Sequence, residues 1–308
     1  MYRHYLVVIA VVCLTLACLG QPIQADQKQV LTVGSKIDTE GALLGQIILL
    51  MLEENGLAVR DKTEFGPTPI VRKAIIAGEI DIYPEYTGNG AFFFSGQDAG
   101  IWKNRDQAYE QVKTLDYEEN KLIWLTPAPA DNTWALAVRD EFAREHNLTT
   151  LDDLARFVNE GGKIKLAACE EFVNREDALP AFEKAYDFSI PDSAMVVFSG
   201  CNTAQTEKAA ARGTSGVNTA MAFGTDGALS ALGLRVLEDS KGVQPVYAPT
   251  PVVREEVLEA FPQIEQILAP VFKALSQKTL QELNAQIAIG GRNPGDVASE
   301  FLKVNGFL

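Results

Sequence analysis

Residues 78–94 read GEIDIYPEYTGNGAFFF and have the pattern of a short strand that runs into an aromatic, turn-forming loop. Residues 79–82 alternate charged and β-branched side chains, which is typical of a strand. Pro84 has no N–H to donate and is expected to end the strand's hydrogen bonding, and residues 86–90 are rich in turn formers. Tyr86 is therefore predicted at a strand end, where open α/β sheets bind ligands. The alternative is a tyrosine that only fills the core.

The residues before this stretch predict a parallel sheet. Residues 30–33 and 57–64 have strand patterns, and residues 41–55 and 70–77 have helix patterns that end near a glycine. The order strand, helix, strand, helix, strand favours an α/β fold with parallel strands. Lys36 lies in the polar turn before the first helix, where a helix N-terminus favours anions. It is predicted either to meet an anionic ligand group or to be an ordinary surface lysine.

The rest of the chain continues the α/β alternation and then becomes mostly helical. Further strands are predicted at residues 121–125, 133–138, 163–168, 195–199 and 216–223. Further helices are predicted at residues 107–115, 140–147, 151–159, 179–186, 203–212, 255–261, 264–276, 279–289 and 296–304. Residues 170–177 have the pattern of a loop.

Two proline-rich segments indicate how these elements divide into lobes. They are TPAPADN at residues 126–132 and VQPVYAPTP at residues 243–251. We interpret them as two crossings between lobes. The first lobe would comprise residues 26–131 and 248–308, and residues 132–247 would form a second lobe inserted into it. A cleft between the lobes would be lined by the loops that follow the strands.

The N-terminus has the pattern of an export signal. Arg3 and His4 precede an apolar run at residues 5–19, which is short for a membrane span, and Ala25 suits a cleavage site. We expect a signal peptide over residues 1–25 and a periplasmic mature protein. The alternative is a lipoprotein anchored at Cys18.

Composition narrows the classes of partner and ligand. The 308-residue chain has a net charge of −14, which makes nucleic acid an improbable partner. Cys169 and Cys201 remain after signal cleavage, and such a pair in an exported chain suggests a disulfide, with two separate buried thiols as the alternative. Their spacing does not suit zinc, and we expect neither a metal nor a cofactor.

The sequence gives little reason to expect an enzyme. The mature chain keeps one histidine, His146, in a charged helical segment, so a nucleophile with a positioned histidine base is improbable. Residues 213–216 read GTSG, which is not the nucleophile elbow of hydrolases. Residues 88–90 read GNG and lack the third glycine of a dinucleotide-binding fingerprint.

Aromatic residues at strand ends and crossings are the positive signal for function. They are Tyr86, Trp134, Phe223 and Tyr247. If all four face one cleft, their ring faces would attract a cation that cannot hydrogen-bond, such as a quaternary ammonium group. The alternative is four ordinary core aromatics.

Three motifs resemble a known family over essentially the whole mature chain. They are GSK at residues 34–36 with Thr39 and Glu40, YPEYTG at residues 83–88, and TDG at residues 225–227. The sequence is similar to the substrate-binding proteins of glycine betaine/choline-type ABC importers, and looks closest to the branch called OsmF or YehZ. This resemblance implies a type II periplasmic-binding-protein fold, in which two α/β lobes joined by a two-stranded hinge close on the ligand. It also implies a monomer that delivers a small osmolyte to membrane permease subunits.

The resemblance also implies a binding site. The family's aromatic cage falls on Tyr86, Trp134, Phe223 and Tyr247, and its carboxylate clamp falls on Lys36 and Arg175. Thr87 is expected beside the cage, in a turn that offers backbone N–H groups. The family's usual cage is all tyrosine, so Trp134 and Phe223 are departures that leave the ligand open. The alternatives are the same fold with an amino acid or another compatible solute, and an exported two-lobed enzyme.

Overall fold

The computed structural model describes residues 30–229 and 231–308, and within these ranges the chain forms two β-sheets covered by helices. The predicted signal peptide at residues 1–25 and the alternative anchor at Cys18 lie outside the described residues. The described strands are β1 (Leu31–Lys36), β2 (Val59–Gly66), β3 (Ile82–Tyr86), β4 (Leu122–Trp124), β5 (Trp134–Arg139), β6 (Leu166–Cys169), β7 (Met195–Phe198), β8 (Thr219–Phe223), β9 (Leu234–Val236) and β10 (Pro249–Arg254).

Helices cover both sheets, and a group of them forms the C-terminal part of the chain. The described helices are α1 (Thr39–Glu54), α2 (Thr68–Ile76), α3 (Gly90–Phe93), α4 (Ala99–Trp102), α5 (Arg105–Asn120), α6 (Asp140–His146), α7 (Leu151–Asn159), α8 (Glu170–Asn174), α9 (Leu179–Tyr186), α10 (Thr203–Arg212), α11 (Glu255–Ala260), α12 (Gln263–Ala274), α13 (Gln277–Ala288) and α14 (Pro294–Val304). No described helix combines the length and the hydropathy that a bilayer crossing requires.

The two sheets are mixed and are connected by two passages of the chain. The first has the strand order β2–β1–β3–β10–β4, and the second has the order β7–β6–β8–β5–β9. The parallel pairing predicted for β1, β2 and β3 is present, whereas β10 runs antiparallel to β3 and β4. We call the elements around the first sheet the first half (residues 31–124 and 249–308) and those around the second sheet the second half (residues 134–236). The predicted α/β class is confirmed.

Pro84 does not end its strand, contrary to the sequence-based expectation. It lies in the middle of β3, directly opposite Pro251 of β10. The carbonyl oxygen of Pro251 accepts a hydrogen bond from Leu125 N, so the polar groups of Pro251 point away from β3 and the two prolines form a non-hydrogen-bonded pair. On its other side, β3 pairs with β1 only at Ile82. Neither neighbouring strand therefore requires the missing N–H of Pro84.

Two further expectations were wrong for local reasons. Residues 170–177 were predicted as a loop, but Cys169 caps a helical turn there and α8 follows. Residues 243–251 were predicted as a proline-rich crossing, but the last three of them belong to strand β10, which begins at Pro249. Pro249 and Pro251 alternate with Thr250 along β10, so the backbone N–H of Thr250 is on the side that faces β3. The backbone of β10 can therefore pair with β3 in spite of its prolines.

The two passages between the halves run side by side. Asn132 N donates to Tyr247 O at 2.9 Å, and Tyr247 N donates to Asp131 Oδ1 at 2.8 Å. Ala128 N donates to Pro249 O at 2.7 Å. These bonds hold Tyr247 at the junction of the halves.

Helix α1 forms the centre of the first half. Asp38 caps its N-terminus by accepting a hydrogen bond from Gly41 N at 2.8 Å. A Cβ at Gly45 would lie 2.7 Å from the Cβ of Ser35, so the glycine allows α1 to pack closely on β1. Helices α13 and α14 cover the other face of α1, which explains why nearly every side chain from residue 40 to residue 52 is buried.

A buried ion pair stabilises the outer part of the first half. Asp116 accepts two hydrogen bonds from the guanidinium of Arg72, at 2.5 and 2.7 Å, and a third from the indole N–H of Trp124 at 2.7 Å. The Asp116 side chain has no exposure to solvent and that of Arg72 has 9%. The pair is thus desolvated and depends on both partners.

Replacing Asp116 by alanine is expected to lower the free energy of unfolding by about 3–5 kcal/mol, because the buried guanidinium of Arg72 would lose its counter-charge. Asp140→Ala is the matched control, since Asp140 pairs with Arg144 and Arg235 at a half-exposed site. Loss of such an exposed ion pair lowers the free energy of unfolding by about 0–1 kcal/mol. Urea denaturation of both variants measures the difference. Equal losses of unfolding free energy in the two variants would contradict the conclusion that the Arg72–Asp116 ion pair stabilises the fold as a buried pair.

Candidate ligand-binding site

A cavity lies where the two halves meet, and residues of both halves line it. Its lining residues are Lys36, Ile37, Asp38, Pro67, Thr68, Tyr86, Asn89, Asn132, Trp134, Glu171, Cys201, Phe223 and Tyr247. The structure therefore brings the four predicted cage aromatics and Lys36 to one place. Arg175 and Thr87 are not among the lining residues.

Strand register positions the rings. Trp134 and Phe223 are directly opposite on the antiparallel strands β5 and β8, and their ring centroids are 4.6 Å apart. Tyr247 stands edge-on to Trp134 at 6.4 Å. Its ring lies against the turn after β3, where a Cβ at Gly88 would come within 2.8 Å of it. The glycine that follows Tyr86 and Thr87 is thus required by the close approach of a ring from the other passage.

The two tyrosine hydroxyls of the cavity are bonded to protein groups. The Tyr86 hydroxyl donates to Glu40 Oε1 at 3.0 Å. The Tyr247 hydroxyl accepts from Trp134 Nε1 at 3.1 Å and donates to Asp177 at 3.4 Å. Burial raises the pKa of both tyrosines, so both hydroxyls stay protonated at neutral pH. These hydrogen bonds to the hydroxyl groups fix the orientation of both tyrosine rings.

Lys36 forms a buried ion pair with Glu85. Its Nζ lies 2.5 Å from Glu85 Oε1 and 4.6 Å from the centroid of the Tyr86 ring. Glu85 also accepts hydrogen bonds from the hydroxyl of Tyr83, the backbone N–H of Tyr86 and the side-chain amide of Asn89, at 3.0, 2.8 and 2.6 Å. The sequence pattern did not single out Glu85, although it stands in the YPEYTG motif.

Arg175 uses all five of its N–H donors within the protein. Its Nε and Nη2 hold the two oxygens of Asp177 at 2.9 and 2.6 Å. Its Nη1 donates to Asn89 at 2.8 Å and to Glu171 at 2.9 Å, and Nη2 also reaches the Tyr247 hydroxyl at 3.3 Å. A guanidinium has five N–H groups, so none is left over. The bond to Asn89 links the second half to the first.

A disulfide between Cys169 and Cys201 forms part of the cavity wall, with a Cα–Cα distance of 5.1 Å. Cys169 also caps α8, which carries Glu171. The disulfide therefore attaches the loop at Cys201 to the start of this short helix. Thiol chemistry of a free cysteine is excluded at this position.

Two acidic residues at the start of α1 also belong to the site. Asp38 lines the cavity, and burial raises the pKa of its carboxyl group although Lys36 opposes the effect. Glu40 lies behind Tyr86, and burial raises the pKa of its carboxyl group to about 7. Its second oxygen accepts from Asn284 of α13 at 2.7 Å. In the sequence, Glu40 was noted only with Thr39 beside the GSK motif, and Asp38 was not singled out as a site residue.

Thr87 lies beside the cage and supports Tyr247. Its hydroxyl donates to Val246 O at 2.8 Å and accepts from Ala248 N at 3.1 Å. These two bonds bracket Tyr247 on both sides. A direct contact between Thr87 and a ligand remains a prediction.

Comparison with known proteins gives consistent matches. The model of the OpuAC family, the substrate binding domain of ABC-type glycine betaine transport systems, matches residues 29–304. The chain is 57% identical over 292 residues to the glycine betaine-binding protein YehZ of Escherichia coli (strain K12), and the match covers 95% of each chain.

Solved structures agree with these matches. The structure of apo YehZ from Escherichia coli is 58% identical, covers 91% of this chain and 100% of its own, and has a TM-score of 0.67. The crystal structure of a glycine betaine/carnitine/choline ABC transporter covers 90% of this chain and 99% of its own, with a TM-score of 0.71. At 22% identity, this second likeness concerns the fold alone.

The carboxyl group of Glu40 predicts a pH-dependent stability. The folded protein keeps its proton up to about pH 7, whereas the unfolded chain releases it near the ordinary value of 4.5. Between these values the folded state binds more protons, so stability falls as the pH rises. The wild type is expected to lose about 3 kcal/mol relative to Glu40→Gln between pH 4.5 and pH 7.5.

Urea denaturation of both proteins at several pH values measures this difference. The other buried acids titrate in both proteins and cancel in the comparison. Parallel pH profiles for the wild type and Glu40→Gln would contradict the raised pKa.

Proposed function

Because the chain belongs to the OpuAC family of substrate-binding domains of ABC-type glycine betaine transport systems, we propose that it captures a small quaternary-ammonium or zwitterionic osmolyte in the cavity between its halves. The single observation that carries this proposal is the meeting of four aromatic rings from both halves around one cavity. Such rings attract a cation through their negative faces.

The proposed cage consists of Tyr86, Trp134, Phe223 and Tyr247. The exposed fractions of Tyr86, Trp134 and Tyr247 are 4, 6 and 3%, so a cation among these rings would be largely stripped of water, which strengthens the attraction. Lys36 is proposed as the residue that meets a polar or anionic end of the ligand, because it lines the cavity. Arg175 is proposed to act behind the wall, by fixing Tyr247 and Asn89.

We propose that the ligand closes the two halves on itself, because the four aromatic rings come from different parts of the chain. Tyr86 belongs to the first half, Trp134 and Phe223 belong to the second, and Tyr247 lies on a passage between them. A ligand that touches all four has more contacts when the halves are together than when they are apart. Such a difference in contacts is what allows a ligand to favour a closed state. The lobe boundaries at residues 131 and 248 belong to this proposal.

The physiological setting is proposed from the family. The protein would be exported, with its signal peptide removed near Ala25, and would work in the periplasm as a monomer. It would hand its ligand to permease subunits in the inner membrane as part of an importer. Catalysis is not part of the proposal, since the family consists of transport proteins.

Titration calorimetry with glycine betaine, choline, carnitine and proline betaine tests the proposed function. At least one of these is expected to bind and to change the fluorescence of Trp134. The neutral compound 3,3-dimethylbutan-1-ol, which has the shape of choline without its charge, is expected to bind at least about tenfold more weakly than choline, because it has no attraction to the ring faces. If none of the four compounds bound, the proposal would be overturned.

Replacing Phe223 by leucine tests the cage itself. Leucine keeps most of the apolar contact with Trp134 but removes one ring face, so the bound cation is expected to dissociate about 2- to 30-fold more readily. Phe301→Leu is the matched control, since Phe301 is a buried ring of α14 away from the cavity. Unchanged affinity in Phe223→Leu, measured in the same titration, would remove Phe223 from the cage.

A further inference from the structure

Helix α13 of the first half contacts the second half outside the cavity. Its partner is the loop at residues 224–227, which follows strand β8. Gln277, Gln281 and Asn284 of α13 are spaced by four and three residues, so their side chains share one face of the helix. The cavity lining contains none of these three residues. We call the contact between this helix face and the loop the α13 interface.

All three amide side chains of this face donate to backbone carbonyl groups of the loop. Gly224 O accepts from Gln277 Nε2 at 2.6 Å and from Gln281 Nε2 at 3.0 Å. Thr225 O accepts from Asn284 Nδ2 at 3.1 Å. The hydrogen-bonding groups of the α13 interface are therefore side chains of the first half and backbone of the second.

Gly227 brings the loop against the backbone of α13. A Cβ at this position would overlap the carbonyl oxygen of Gln281, and it would lie 3.1 Å from the Cβ of Ala285. A helix backbone cannot turn aside as the end of a flexible side chain can, so the overlap could be relieved only by moving the loop away. The close approach of the two halves therefore requires glycine at residue 227.

Each side of the α13 interface is fixed to its own half. In the loop, Asp226 accepts from Thr203 Oγ1 of α10 at 3.0 Å and from Phe223 N at 2.6 Å. On the helix, Leu280 and Leu283 are buried in the hydrophobic core. Because neither side can follow the other half, a rotation that separates the halves must break or displace the α13 interface.

Resting on the proposed function, we infer that the α13 interface holds the two halves together and thereby sets how tightly the protein retains its ligand, with Gln277, Gln281 and Gly227 as positioning residues. Contacts that exist only when the halves are together favour the closed state, whether or not a ligand is bound. A ligand that binds the closed state has an apparent affinity proportional to the closed fraction. The interface thus contributes to affinity without touching the ligand.

Replacing Gly227 by alanine tests the inference, because the added methyl group would overlap the carbonyl oxygen of Gln281 and separate the loop from α13. The halves are expected to lie apart in a larger fraction of the molecules, both without ligand and with glycine betaine. Titration calorimetry is expected to show glycine betaine bound at least about tenfold more weakly, in proportion to the closed fraction that is lost.

The distance between the halves is measured by double electron–electron resonance between two spin labels. Ser95→Cys in the first half and Glu176→Cys in the second carry the labels, since both residues line a groove between the halves. The native Cys169 and Cys201 are joined in a disulfide and do not take up the label. This measurement reports the arrangement of the halves without requiring a ligand.

A second variant and a control separate the effect from a folding defect. Gln277→Ala together with Gln281→Ala removes donors without adding bulk. This variant is expected to lengthen the distances as Gly227→Ala does and to weaken glycine betaine binding by about threefold or more. Gly200→Ala adds a methyl group at another point where the halves approach, but its Cβ would lie an ordinary 3.8 Å from Ile37 Cγ2. This control is expected to leave the distances and the affinity unchanged.

The outcomes separate this inference from the proposed function. Unchanged or shorter distances between the halves in the folded variants would overturn the inference, whichever compound the protein binds. Longer distances with unchanged affinity for glycine betaine would overturn the link between the α13 interface and ligand retention. If none of glycine betaine, choline, carnitine and proline betaine bound to the wild type, the proposed function would fail, and the distances would still decide whether the interface holds the halves together.

Discussion

The site depends on one buried carboxylate, Glu85, which has no exposure to solvent. Removing an ionised carboxylate from water is costly unless donors surround it. Glu85 meets this requirement with four donors, from Lys36, Tyr83, the backbone of Tyr86 and Asn89. Because all four groups donate to the same buried charge, this requirement holds them together on the first-half side of the cavity. The YPEYTG motif supplies the carboxylate, two of its donors and the first ring.

The same requirement extends to the second half through Asn89. Its amide N–H binds Glu85, and its oxygen accepts from Arg175. Arg175 in turn orients the hydroxyl of Tyr247, which accepts from Trp134. An unbroken chain of hydrogen bonds thus runs from the first sheet through Tyr247 to Trp134 of the second sheet. If the halves separated, the guanidinium of Arg175 would lose its bond to Asn89 but would keep its ion pairs with Asp177 and Glu171. Separation of the halves would therefore not leave this charge unpaired.

The sequence predicts well whatever depends on neighbouring residues. Helices α7, α9 and α10 have the predicted bounds, because capping residues and a periodic apolar face are local signals. The first passage and the meeting of four aromatics at one cavity also follow from punctuation by proline and from strand ends, whereas the prolines expected in the second passage belong to β10. Pro84 was misjudged, because the effect of a proline on a strand depends on which side of it the neighbouring strand requires an N–H.

Charge pairing is the part of the site that the sequence does not reveal. Lys36 and Glu85 are 49 residues apart, and Arg175 and Asn89 are 86 residues apart. A basic residue near a predicted site therefore looks like a clamp for an anion, although the fold has already given it a counter-charge. The distinction matters for recognition, since a paired guanidinium orients rings whereas an unpaired one binds a carboxylate.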